Sequence, residues 1–136
     1  MIDLGDVTVL PGLIDVHQHL AFDASNDPVT DLADVDDATL LLRMRLAALR
    51  ALAGGVTTIR DLGNGNYVSL TLRDWFRSTA EVGPTILTSG PPITVTGGHC
   101  WFLGGEADGE DGIREGCVRT RPAASTSSRS WPPAAT

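Results

Sequence analysis

Three short apolar segments, residues 13–16, 56–59 and 85–88, alternate with stretches of helical periodicity, and this alternation leaves the 136-residue chain few possible folds. Each segment is apolar along its length, as a strand covered on both faces must be. Between the first two, Asp36 or Asp37 offers an N-cap for a helix running to about Ala53. Leu41, Met44, Ala48 and Leu52 recur there at helical spacing, with Leu42, Leu46 and Leu49 widening the stripe. Gly54-Gly55 stops the helix by supplying a left-handed C-terminal cap. A second helix is predicted over residues 67–80, packing through Leu70, Leu72, Trp75 and Phe76, until Gly83-Pro84 breaks it. Strand, helix, strand, helix, strand is the pattern of an α/β parallel sheet covered by helices.

The flanking segments are less regular. Val7-Thr8-Val9-Leu10, closed by Pro11-Gly12, reads as one more short strand, whereas residues 22–36 are polar, contain Pro28 and read as a loop. The glycine-rich stretch 96–105 reads as a long loop above the strand ends, and residues 111–118 as the start of a helix. From Thr120 the chain turns to Arg, Pro, Ala and Ser without periodicity, which predicts disorder.

A net charge of -7 argues against nucleic acid or an anionic membrane as partner, because both require a basic footprint. The N-terminus is acidic, with no basic region of a signal peptide, and no apolar run is long enough for a bilayer. Cys100 and Cys117 form neither a disulfide framework nor a zinc ribbon and read as reduced thiols, so a cytoplasmic location is expected.

The chemistry centres on His17 and His19, at the C-terminal end of the predicted strand 13–16. Two-residue spacing along a strand puts both imidazoles on one face, close enough to share a cation. Zinc and similar divalent metals accept neutral imidazole, and parallel sheets carry their sites at the carboxyl ends of their strands. A bare His-x-His also describes two histidines beside a surface turn, and no third ligand is visible nearby. On the residues alone, a non-catalytic α/β module whose paired histidines bind no metal stays open.

The surroundings of the pair carry a resemblance. The run Val9-Leu10-Pro11-Gly12-Leu13-Ile14-Asp15-Val16-His17-Gln18-His19 resembles the opening segment of the amidohydrolase superfamily, where a strand of a small β-domain leads through Pro-Gly into the first barrel strand. Gly54-Gly55-Val56-Thr57-Thr58-Ile59-Arg60-Asp61-Leu62-Gly63 resembles its second-strand segment. Gly83-Pro84-Thr85-Ile86-Leu87-Thr88-Ser89-Gly90, Thr96-Gly97-Gly98-His99 and Gly104-Gly105-Glu106-Ala107-Asp108-Gly109 are similar to the branch with imidazolonepropionase-like and Xaa-Pro dipeptidase-like members.

The likeness implies a partial (β/α)8 TIM-type barrel. Residues 13–119 would hold about its first three βα units, residues 1–12 a remnant strand of a β-sandwich domain, and residues 120–136 a disordered tail. It also implies a hydrolase of carbon–nitrogen bonds in amides, peptides or cyclic amides, acting through hydroxide activated by one or two divalent metals, expected to be Zn2+. By the same likeness His17 and His19 are metal ligands, and His99, in the loop after the third strand, is a candidate contact for a small-molecule amide or dipeptide substrate. Asp61 reads as a cap or turn former, and Glu106 and Asp108 as residues that solvate a turn. The family further needs a lysine, two more histidines and an aspartate, whereas this chain has no lysine and no histidine beyond His17, His19 and His99. No catalytic residue is assigned, and the 136 residues alone are expected to be inactive.

The tail suggests why the motif stops short. The segment ASTSSRSWPPAAT, residues 124–136, can be back-translated so that the neighbouring frame encodes VDFIKVMATGGN, the sequence expected in this branch at its fourth barrel strand, lysine included. A frameshift just before the tail is therefore expected, and, because only Val7 to Leu10 remain of the small β-domain that the resemblance implies, so is an internal start at Met1. Such an open portion of a barrel would leave a raw sheet edge and an uncovered apolar face, and should be poorly stable.

Overall fold

A computed structural model describes residues 2–124, with side chains described as far as residue 120. Of the expected frameshifted tail, residues 120–136, residues 125–136 lie outside the described residues. Three strands, β1 (Leu13–Gln18), β2 (Val56–Asp61) and β3 (Thr85–Thr88), form one parallel sheet in the order β1-β2-β3. The β2–β3 register is regular, from Thr58 opposite Thr85 to Asp61 opposite Thr88. The β1–β2 pairing shifts twice and resumes at Gln18 opposite Asp61. All three strands therefore end in one row, Gln18, Asp61 and Thr88.

Helix α1 (Pro28–Ala33) lies in the stretch expected to be loop. The Asp27 side chain accepts from Thr30 N–H at 3.2 Å, and Pro28 occupies the first turn, where its missing N–H costs nothing. Helix α2 (Asp37–Ala53) begins as expected, with Asp36 accepting from both the N–H and the hydroxyl of Thr39, each at 2.9 Å. The left-handed residue after it is Gly55, at φ +93°, while Gly54 has an ordinary φ of -80°. After a short 3-10 turn, α3 (Val68–Ser78) follows, and α4 (Gly109–Ala124) ends the described chain. Helix α4 thus includes residues 120–124, which the sequence reading gave to the tail. It opens with Glu110 and Asp111 near its positive end and carries a Glu110–Arg114 ion pair of 2.6 Å.

Helices α2 and α3 bury one sheet face. Leu40, Met44 and Ala48 of α2 meet Ile59 of β2, Ile86 of β3, Val68 and Leu72 of α3, and Leu20 and Ala21 beyond β1. The buried stripe of α2 thus starts at Leu40, and Leu41 and Leu52 are only half-buried. Trp75, expected in the core, is 39% exposed, because its indole reaches outward to donate to Glu81 at 2.8 Å. Glu81 also accepts from Arg45 Nε at 2.9 Å, tying α2 to the segment before β3.

Residues 7–10 form no strand. A strand exists only through a hydrogen-bonded neighbour, and β1 pairs with β2 alone among the described residues. Val7, Val9 and Leu10 are exposed, and on the edge strand β1 so are Leu13, Ile14 and Val16, at 61, 65 and 62%. The raw apolar edge expected of an open barrel portion is therefore present.

Two outcomes follow from this packing. Met44 has no exposed surface, so Met44→Ala should lower the free energy of unfolding by about 2–5 kcal/mol, read from chemical denaturation. The N–H and hydroxyl of Thr39 hold the Asp36 carboxyl below the usual aspartate range. Its ionised form therefore stabilises the fold above the unfolded pKa, and this is lost as pH falls through the depressed folded value. Asp36→Ala should lower the thermal midpoint near neutral pH, and the gap to wild type should close on acidification.

Candidate metal centre

The two histidines come together where the strands end. His17 lies within β1 and is exposed, and His19 follows the strand and is half-buried. Their ring centroids are 5.6 Å apart with planes at 62°. Two imidazoles on one ion, with metal–nitrogen bonds of about 2.0–2.1 Å, would have centroids roughly 5 Å apart, close to the spacing of this pair. The His19 ring is fixed from two sides: Nδ1 lies 3.1 Å from the carbonyl oxygen of Gly63, and the ring stacks on Phe22 at 4.9 Å. A carbonyl can only accept, so Nδ1 carries a proton, and in the neutral ring Nε2 then keeps the lone pair a metal needs.

Beneath this lies a buried polar cluster of Asp61, Asn64, Ser69 and Thr88. Asp61 Oδ2 accepts from Leu20 N–H at 2.9 Å. Its Oδ1 accepts from Gly63 N–H at 3.2 Å and from Asn64 Nδ2 at 3.0 Å. Asn64 in turn accepts from Ser69 N–H at 3.1 Å, and the Ser69 hydroxyl bonds to Thr88. Burial pushes the Asp61 carboxyl above the usual aspartate range, against the lowering effect of the Leu20, Asn64 and Gly63 hydrogen bonds. Asp61 is a turn former, as expected, but it also bonds to Leu20 beyond β1 and, through Asn64 and Ser69, is linked to Thr88 of β3. Phe22, Gly63, Asn64, Ser69 and Thr88 were not singled out from the sequence, although Asp61-Leu62-Gly63-Asn64 has the composition of a side-chain-bonded turn.

His99 sits exposed in the loop between β3 and α4. That loop folds over the β1 end, since Phe102 lies 6.2 Å from Phe22 by ring centroid. His99 thus belongs to a loop on the side of the sheet that carries the histidine pair, but no ring contact joins it to them among the described residues. Glu106 and Asp108 do more than solvate a turn. Glu106 accepts from Gly97 N–H at 2.7 Å and Asp108 from Thr96 N–H at 3.1 Å, anchoring the segment just before His99. No cluster of three His, Cys, Asp or Glu side chains suited to a metal occurs among the described residues, and no helix there is long and apolar enough to cross a membrane.

The sequence profile of the Amidohydrolase family matches residues 8–128. The chain belongs to that family. Solved structures agree on the fold. The crystal structure of A. niger ochratoxinase matches with a TM-score of 0.69 at 24% identity, over 83% of this chain and 31% of that one. A crystal structure described as an amidohydrolase gives 0.68 at 24%, over 90% and 36%. A Xaa-Pro dipeptidase crystallised with methionine in its active site gives 0.57 at 29%, over 71% and 24%. A search of curated proteins gave no match. The chain spans about a third or less of the length of these structures, and its parallel three-stranded sheet with covering helices is a partial TIM-type barrel.

Gly63 gives the arrangement a sensitive point. A Cβ there would stand 3.0 Å from Pro92 Cδ and 3.4 Å from His19 Cε1. Gly63→Ala should therefore cost about 1–3 kcal/mol as overpacking, and should shift the His19 ring resonances more than those of His17.

Proposed function

We propose that His17 and His19 are two ligands of a divalent metal ion, zinc by the nature of the donors, in a hydrolase that cleaves amide, peptide or cyclic amide C–N bonds. The paired imidazoles at the strand carboxyl ends, with His19 Nδ1 engaged by a backbone carbonyl, carry this reading. A divalent ion bound there would supply the lowered pKa of water and the polarised carbonyl that amide hydrolysis requires. His17 and His19 would hold it through neutral nitrogens, and Phe22 would shield the inner side of His19 from solvent. His99, carried by the loop that folds over this end, is the proposed contact for a small amide or dipeptide substrate.

The same geometry argues that these 136 residues do not turn over substrate by themselves. A catalytic zinc is normally held by three protein ligands with a fourth position open. This chain offers two imidazoles as a pair, no third donor among the described residues and no lysine anywhere. That shortage is also what favours, for the isolated chain, the second reading of a non-catalytic α/β module.

Zinc titration of the isolated chain, followed by histidine NMR, tests both parts. Weak binding that moves His17 and His19 together and vanishes in His17→Ala supports the ligand assignment, while unmoved histidines remove it. An assay with zinc, manganese or cobalt on a Xaa-Pro dipeptide should show no turnover at an enzymic rate. Robust hydrolysis abolished by His17→Ala would overturn the expected inactivity.

A further inference from the structure

The buried carboxylate of Asp61 has a place in the site that goes beyond forming a turn. Its two oxygens act on the two chain segments that fix His19. Oδ2 holds the N–H of Leu20, the residue directly after His19. Oδ1 holds the N–H of Gly63, whose own carbonyl meets His19 Nδ1 at 3.1 Å. One side chain on β2 thus secures both the backbone beside the histidine and the acceptor that selects its tautomer. Asn64 closes the cluster, donating to Asp61 Oδ1 and accepting from Ser69 N–H, so the buried Asp61 carboxyl is held by three hydrogen bonds. His17 lacks this support: its backbone N–H is held by Asp15, but its exposed ring has no partner among the described residues other than the His19 edge.

We infer that Asp61 is a positioning residue that sets the orientation and the tautomer of His19 before any metal arrives, through Leu20 on one side and Gly63 on the other. The positioning itself rests on these hydrogen bonds, and its consequence for metal binding rests on the reading of His19 as a metal ligand, which needs Nε2 unprotonated. It divides the pair into a preorganised member, His19, and an adaptable one, His17. Metal-bound histidines commonly have the second ring nitrogen tied to a carbonyl or carboxylate, and loss of such support costs about 10- to 100-fold in metal affinity. Here the support is indirect, a carboxylate holding the carbonyl that holds the ring.

The test is nitrogen-15 NMR of the histidine rings in the full 136-residue chain, free of metal, at a pH where both rings are neutral. In the wild type His19 should show the pattern of protonated Nδ1 with bare Nε2, while His17 should show the averaged pattern of a solvated imidazole. Asp61→Asn keeps the shape but turns one oxygen into an N–H donor facing the Gly63 N–H or the Leu20 N–H. His19 should then move toward the averaged pattern. Ser69→Ala, which removes a hydroxyl from the cluster without touching Asp61, should lower stability yet leave the His19 tautomer in place. An averaged or reversed tautomer at His19 in the wild type overturns the inference, and so does an unchanged tautomer in folded Asp61→Asn. If Asp61→Asn does not fold, the wild-type spectrum and Asn64→Ala, which removes one donor to Asp61, decide the matter: Asn64→Ala should loosen the tautomer bias, and an unaltered one would count against Asp61. Zinc titration separates this inference from the metal assignment. If the tautomers behave as described but zinc moves neither ring, the ligand reading fails and the positioning by Asp61 stands. If zinc binds wild type, affinity should fall about 10- to 100-fold in Asp61→Asn.

Discussion

A carboxylate without surface exposure at the end of the central strand is the point on which this structure turns. Burying an ionisable oxygen pair is costly unless donors surround it, and Asp61 has three: the N–H groups of Leu20 and Gly63 and the amide of Asn64. Those donors come from different places in the chain. The bond to Leu20 links β2 to the segment leaving β1, and the relay through Asn64 and Ser69 reaches Thr88 at the end of β3. The cluster thus adds side-chain links between three strand ends that the backbone ladder already pairs. A partly satisfied network of this kind would be worse than an apolar one. Here the carboxylate's hydrogen bonds and its burial oppose one another, and burial wins, which is why its pKa rises.

The apolar side of the fold is unevenly finished. Beneath β2 and β3 the contacts of Met44, Ile59, Leu72 and Ile86 are complete, with exposures of 2% or less. At β1 the apolar residues Leu13, Ile14 and Val16 face solvent, and the edge has no neighbour among the described residues. Stability should be distributed the same way, high around α2, α3 and the central strand and low along β1. The histidine pair sits on the weak side, anchored to the strong one by Asp61. Unpaired strands invite pairing with other chains, so the polypeptide's solubility is most exposed at β1 as well.

As a proposed metal site the histidine pair is incomplete among the described residues. Two imidazoles can capture an ion, but catalysis requires donors fixed around the position where charge develops, in a cavity that excludes water. The loop from β3 to α4 folds toward this end, bringing Phe102 toward Phe22 and anchoring the turn before His99 through Glu106 and Asp108.

Local signals in the sequence were enough for much of this. Helical spacing from Leu41 to Leu52, bounded by Asp36 and Gly54-Gly55, located α2, though its buried stripe begins at Leu40, because caps and periodicity act within a few residues of each other. The strands β2 and β3 were visible in the same way, and the two-residue spacing of His17 and His19 placed both rings on one side. Short α1 was missed although Asp27-Pro28 is a helix-start signal, since proline weighs as a breaker until its position in the first turn is known. What tertiary structure alone decided depends on partners distant in the chain. Residues 7–10 have the composition of a strand but no neighbour to pair with, Trp75 left the core for Glu81, and Asp61 became the support of His19 through contacts 41 residues away at Leu20 and 44 residues away between His19 and Gly63. Propensity is a property of a residue and its near neighbours, whereas a ladder, a buried carboxylate and a chosen tautomer exist only once the strands have come together.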